Sequence, residues 1–195
     1  MYKRQDYYAA GNITDADKLN SIALAIYPFD DRPYLLYVQI YQSLINEISD
    51  AGDKQTLYQK SLEYLEQARH INPHIAQNYY LHAKLIELNP ELHGPDWQQV
   101  VIRLYQKSLN INPLHIYSSR RLASFYLLQG EPEKASETLY NAVKYYLPPT
   151  KDTLKHYIFA EQILLTSGNS DHLALLLEKK DDLIQYLKQL ENRPG

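Results

Sequence analysis

The sequence predicts an all-α chain of stacked helical hairpins, with no sheet. Three observations predict it: glycine and proline alternate as turn markers, the segments between them carry apolar residues at helical spacing, and no segment sustains the two-residue alternation of a half-buried strand. Gly52, Gly94, Gly130 and Gly168 are 42, 36 and 38 residues apart, with Gly11 upstream, and Pro28, Pro73, Pro113 and Pro148 are 45, 40 and 35 apart. A near-regular period with Gly at one turn and Pro at the other marks a helix-hairpin repeat.

In chain order, the apolar spacing places helices near 15–27, 33–48, 54–71 and 76–88, with the proline turns between the first and second and between the third and fourth. Asn89 to Asp96, NPELHGPD, reads as an elongated turn, long enough to add a contact surface of its own. Asp96 then Gln99 forms a capping-box pattern ahead of Val100, Val101, Leu104 and Leu109, which predicts a helix from Trp97 to Ile111. Another follows near 115–128. Glu131, Pro132 and Glu133 put proline at the first helical position and acids where the helix dipole favours them, and Ala135, Leu139, Ala142 and Val143 line one face as far as about Tyr146. The last helices are expected near 152–166, 171–179 and 181–191, the final one as a cap.

Of 195 residues, 45% are hydrophobic and 22% charged, enough apolar material for a core. The run Leu173 to Leu177 is far short of a membrane span, which needs about 18 or more apolar residues. The formal net charge of −3, spread along the length, gives no basic footprint for nucleic acid or anionic lipid. The absence of Cys excludes disulfides, a thiol nucleophile and Cys-ligated zinc, and leaves the compartment open. Met1 to Gln5, MYKRQ, lacks the apolar region and cleavage site of a signal peptide and reads as a non-native start, so residues 6–195 are taken as a single repeat domain.

The segment LASFYLLQGEPEKASETLYNA resembles the tetratricopeptide repeat (TPR) family, through Leu122, Ala123, Tyr126, Gly130, Ala135, Leu139 and Ala142 in the family's order. Small residues at Ala123 and Ala135 suit a close approach of two helix backbones. The family's small residue with Pro five positions on recurs as Ala23 with Pro28, Ala68 with Pro73 and Ser108 with Pro113, while after Ala142 the proline slips to Pro148. The resemblance implies a right-handed α-solenoid of about nine or ten helices. Its repeats would be 31–75, 76–115 and 116–149, with partial repeats at 12–30 and 150–179 and a cap helix at 181–191. Only 116–149 keeps the family period of about 34. The longer units carry extra residues at Ser49 to Gln55 and Asn89 to Asp96, and His82 stands where the family prefers Leu.

The resemblance also implies a function: a non-catalytic module that binds a peptide or partner protein on the concave lining supplied by the first helix of each hairpin. The family's lining positions fall on Leu35, Gln39 and Gln42, on Gln77, Tyr80, Lys84 and Glu87, and on Tyr117, Arg120, Ser124 and Leu127. They lack the dense Lys/Arg cluster that would clamp a terminal carboxylate. Of 19 Tyr, Tyr34, Tyr41, Tyr79, Tyr105, Tyr126 and Tyr157 fall on packing positions, and Tyr80 and Tyr117 point toward the groove.

No phosphate loop, GxSxG elbow, HExxH or calcium loop is present, so no catalytic residue, cofactor or metal is expected. His70 and His74 are split by Pro73 and read as solvated helix-end residues. Asp181 and Asp182 read as a capped helix start, since adjacent helical positions point apart. PFDDRPY and the stretch from Asn112 to Gly130 also resemble the repeat-bearing tails of bacterial O-antigen ligase and polymerase proteins. That resemblance implies a periplasmic C-terminal domain of a membrane glycosyltransferase, engaging a partner, a glycan acceptor or another subunit. Otherwise a cytoplasmic scaffold is expected.

Overall fold

The computed structural model describes residues 13–143, 149–167 and 170–191. Among them are ten helices and no strand: α1 (Ile13–Ile26), α2 (Asp31–Glu47), α3 (Ala51–Ile71), α4 (Ala76–Leu88), α5 (Pro90–His93), α6 (Trp97–Ile111), α7 (Ile116–Leu128), α8 (Pro132–Val143), α9 (Lys151–Ser167) and α10 (Ser170–Glu191).

The proline turns repeat one hydrogen-bonding device. The N–H of the residue just before the proline closes back onto the small residue of the preceding helix: Tyr27 N to Ala23 O at 2.8 Å, Asn72 N to Ala68 O at 2.9 Å and Asn112 N to Ser108 O at 2.9 Å. Proline follows at the next position, where it cannot continue the helix. After two of these turns a tyrosine six residues beyond the proline reaches back to it, Tyr34 OH donating to Pro28 O at 3.3 Å and Tyr79 OH to Pro73 O at 3.2 Å. In the third, Ser119 takes that place and its hydroxyl donates to Ile116 O instead.

Three local expectations are corrected. Gly52 lies inside the first turn of α3, because Asp50 caps that helix by accepting from Asp53 N at 2.9 Å and so starts it before the glycine. The insertion after Asn89 contains the short helix α5, whose proline sits at the first position, and it ends at Gly94 with φ 117°, a value that needs glycine. Gly130, with φ 74°, ends α7 in the same way. The expected break between 179 and 181 is absent: α10 runs unbroken from Ser170 to Glu191. Lys179 to Asp182 contain no proline or glycine, and Leu176 and Leu183, two turns apart, hold one buried stripe across the site of the expected break. Gly11, Pro148, Gly168 and the end of the helix predicted to reach Tyr146 lie outside the described residues.

The chain divides into two compact units, Met1–Leu104 and Tyr105–Gly195. In the first, α2 packs on α1, α3 and α4 around Val38, Ile45, Tyr58, Leu65, Leu81 and Leu85. Tyr37 stacks on Tyr64, with ring centroids 4.8 Å apart, and Asn20 on α1 donates to Pro33 O of α2 at 2.7 Å. In the second, α7, α8, α9 and α10 enclose Ala123, Ala135, Leu139, Tyr157, Ala160, Ile163, Leu164, Leu176 and Leu183. Ala123 and Ala135 are both completely buried in this cluster, as the small-pair pattern requires.

Candidate functional site

In the second unit the lining residues expected on α7 meet side chains of α9. Tyr117, 41% exposed, donates its hydroxyl to Asp152 Oδ2 at 2.7 Å. Lys155 Nζ approaches Asp152 Oδ1 at 3.4 Å. The Tyr117 hydroxyl first, and then Lys155, hold the Asp152 carboxyl below its ordinary range. One turn further along α7, the Arg120 guanidinium lies over the ring of Phe159, 5.3 Å from its centroid. Ser124 is turned back on its own helix, its hydroxyl donating to Arg120 O at 3.0 Å. Leu127 is exposed.

The sequence reading carried lining positions over for only three hairpins, so it missed Asp152, Lys155 and Phe159. The signal was there: Asp152, His156 and Phe159 are spaced four and three apart, one stripe of a helix that follows a hairpin turn.

The start of α7 depends on a histidine. His115 Nδ1 accepts from Ser118 N at 3.3 Å, so the imidazole acts as the N-cap, and burial lowers its pKa to about 4. An uncharged ring with a bare Nδ1 is what this cap needs. Ser118 Oγ in turn donates to Ser108 Oγ at 2.8 Å, joining α7 to the end of α6.

In the first unit the expected lining is less open. Gln42 is only 7% exposed, and its Nε2 is buried with no hydrogen-bond partner among the described residues, so its amide is not offered to solvent. The reason is register: Val38, Gln42 and Ile45 form one stripe of α2, and both flanking residues belong to the core. Leu35 and Tyr80 are partly buried against the same core, so Tyr80 has a packing role. Gln39, Gln77, Lys84 and Glu87 are half-buried.

Two polar contacts of this unit were not foreseen. Arg69 Nη1 lies 2.6 Å from His82 Nδ1, and burial first, then the charges of Arg69 and His93, lower the His82 pKa to about 3. The Tyr58 hydroxyl lies 2.9 Å from His93 Nδ1 on α5, and burial with a smaller effect of Glu91 raises the Tyr58 pKa to about 12. The inserted helix is therefore pinned to the core through His93, and Leu92 packs on the same core. His82 replaces the expected Leu as a neutral acceptor for Arg69.

Of the tyrosines expected to pack, Tyr105 and Tyr157 are buried, and Tyr34, Tyr41, Tyr79 and Tyr126 are half-buried. The fully covered Tyr58 was not singled out. His70 and His74 are both exposed, and no cluster of three or more metal-ligating side chains occurs among the described residues. Asp181 and Asp182 are exposed in the middle of α10. No helix of the described residues is long and apolar enough to cross a membrane.

Helical hairpins joined by proline turns, with small residues at their contacts, define the class: the chain has the tetratricopeptide-repeat fold, an all-α helical solenoid. It is similar to the crystal structure of MamA, with TM-score 0.59 and 16% identity over 97% of this chain and 98% of that one. It is similar to TTC0263, a thermophilic TPR protein of Thermus thermophilus, with TM-score 0.58 and 18% identity over 96% and 95%. It is also similar to the nearly identical TPR-like repeats of a Podosopora anserina putative kinesin light chain, with TM-score 0.52 and 17% identity over 95% and 93%. No family model and no curated protein matches the chain. At these identities the likeness is one of fold, and none of the structures named here bears on the O-antigen ligase resemblance.

Proposed function

We propose that this chain is a non-catalytic protein-interaction module that binds a peptide or partner protein on the first-helix faces of its hairpins. One observation carries the reading: on the α7–α9 face, Tyr117, Arg120, Asp152 and Phe159 are held in place by one another at the surface. Side chains already ordered lose little entropy when a partner arrives, and Tyr and Arg supply much of the energy of protein interfaces. The fold supports the reading, since stacked hairpins present extended binding surfaces. Tyr117 and Arg120 would serve the second unit, with Ser124 beside them on α7. In the first unit Gln39, Gln77, Tyr80 and Lys84 would take part, with Gln42 supporting from below.

The test is a peptide-display selection on the whole chain, followed by calorimetric Kd values for the selected peptide. Arg120→Ala should weaken binding at least tenfold while leaving Tm within about 2 °C. A selected peptide that binds Arg120→Ala, Tyr117→Phe and Tyr80→Ala as tightly as the unaltered chain would place the binding surface elsewhere.

A further inference from the structure

Between Asp152 and Phe159, the two α9 residues engaged by α7, lies a buried histidine. His156 is 0% exposed, and neither ring nitrogen has a hydrogen-bond partner among the described residues. Its place on α9 explains the burial. Asp152, one turn before it on the same stripe, is tied to Tyr117, and Phe159, one turn after it, lies under Arg120. A neutral imidazole is tolerated there at the cost of its unmade hydrogen bonds; an imidazolium would be a buried cation with no acceptor. The helices packed on α9 carry Tyr117 and Arg120 on α7, Tyr140 on α8, and His172, Lys179 and Lys180 on α10, and α9 itself carries Asp152, Lys155 and Glu161, the last paired with Lys180 at 2.7 Å. Of these, Arg120 is the group whose charge acts on His156, and it opposes protonation.

We propose that His156 is an acid-operated latch beneath the α7–α9 face: one proton on its ring sets a cation under the Arg120 guanidinium and drives Tyr117 and Arg120 off α9. As regulation of a partner surface this rests on the interaction reading above. The latch itself is a property of the chain without any partner. At neutral pH the face is assembled, and acidification disperses it. Burial first and Arg120 second lower the pKa of His156 to about 4, so the ring stays neutral until the medium is well below the ordinary imidazole range.

The experiment is an NMR titration of the whole, partner-free chain from pH 7.5 to 4, following the ring signals of His156, Tyr117 and Phe159. The expected result is that His156 remains neutral to below pH 5, and that Tyr117 and Phe159 move in step with its protonation. His156→Leu should abolish those movements and shrink the fall in Tm between pH 7.5 and 5 by several degrees. His156 titrating near 6.5 with Tyr117 and Phe159 unmoved would overturn the latch. So would unchanged movements in His156→Leu, which would assign them to the His115 cap or to Asp152. If His156→Leu does not fold, the titration of the unaltered chain decides alone. Because these readouts need no ligand, they stand or fall independently of the peptide Kd values.

Discussion

The two units use the same hairpin and differ in how they treat polar groups between helices. The second unit keeps the family period in 116–149, closes α7 on α8 through two alanines, and leaves a pair of first helices whose surface side chains order one another. The first unit has longer repeats and uses the residues inserted after Asn89 inside its own fold, α5 being tied to Tyr58 through His93; a second polar contact, Arg69 to His82, joins α3 to α4. Its expected lining is drawn partly into the core at Gln42, Leu35 and Tyr80. The insertion thus brings the half-buried His93 against the Tyr58 hydroxyl, whereas the buried hydroxyls of the standard-length repeat, Ser118 and Ser119, bond to Ser108 and to Ile116 O.

Cavity variants give the largest expected effect. Leu65→Ala in the first unit and Leu139→Ala in the second should each cost about 2–5 kcal/mol in urea unfolding, since both side chains are completely buried. Equal losses would show that the cores are equally tight despite the different repeat lengths. Ala135→Leu, which overpacks the closest contact of the second unit, should cost about 1–3 kcal/mol. A loss under about 0.5 kcal/mol there would mean that α7 and α8 have room to separate.

Acid should come next, and it acts on both units. His82, His115 and His156 have folded pKa values lowered to about 3, 4 and 4, so the unfolded chain takes up protons first as pH falls. Their contribution is complete above about pH 6.5 and is lost progressively as pH falls to about 4 for His115 and His156 and to about 3 for His82, on the order of 3–5 kcal/mol per imidazole once the window is crossed. Replacing His82 with Leu should flatten this dependence by its own share, read from Tm against pH.

At the alkaline end the sign reverses for Tyr58, whose pKa is raised to about 12. Its contribution is full below 10 and is lost as pH rises from 10 to 12. Tyr58→Phe should remove that alkaline loss and cost about 1 kcal/mol at pH 7 for the hydrogen bond to His93. The smallest expected difference compares two of the proposed lining residues directly. Tyr80→Ala should lower stability by about 1 kcal/mol because its ring also covers the core, whereas Arg120→Ala should stay within about 0.5 kcal/mol. The reverse order would mean that the first unit's lining is the more open of the two.

The hairpins were legible because proline and glycine act locally. Pro28, Pro73 and Pro113 end helices whatever surrounds them, and Gly94 and Gly130 adopt backbone angles that other residues avoid. Where the sequence misled, the deciding contact came from elsewhere in the chain or from a cap upstream. Asp50 started α3 ahead of Gly52, and the buried stripe of Leu176 and Leu183 carried α10 through a run of charges that resembles a helix start. Tyr117 and Arg120 were singled out from the sequence, but their partners Asp152 and Phe159 and the buried His156 were not.

The hairpin pattern and the small-residue contacts therefore belong to the sequence alone, since turn chemistry and apolar period are properties of neighbouring residues, whereas the short helix α5 and the unbroken α10 do not. The pairing of Tyr117 with Asp152, the stacking of Arg120 on Phe159, the covering of His156 and the burial of Gln42 were decided by tertiary structure. Each depends on which face of one helix meets another, and a shift of one residue along a helix turns a side chain by about 100°.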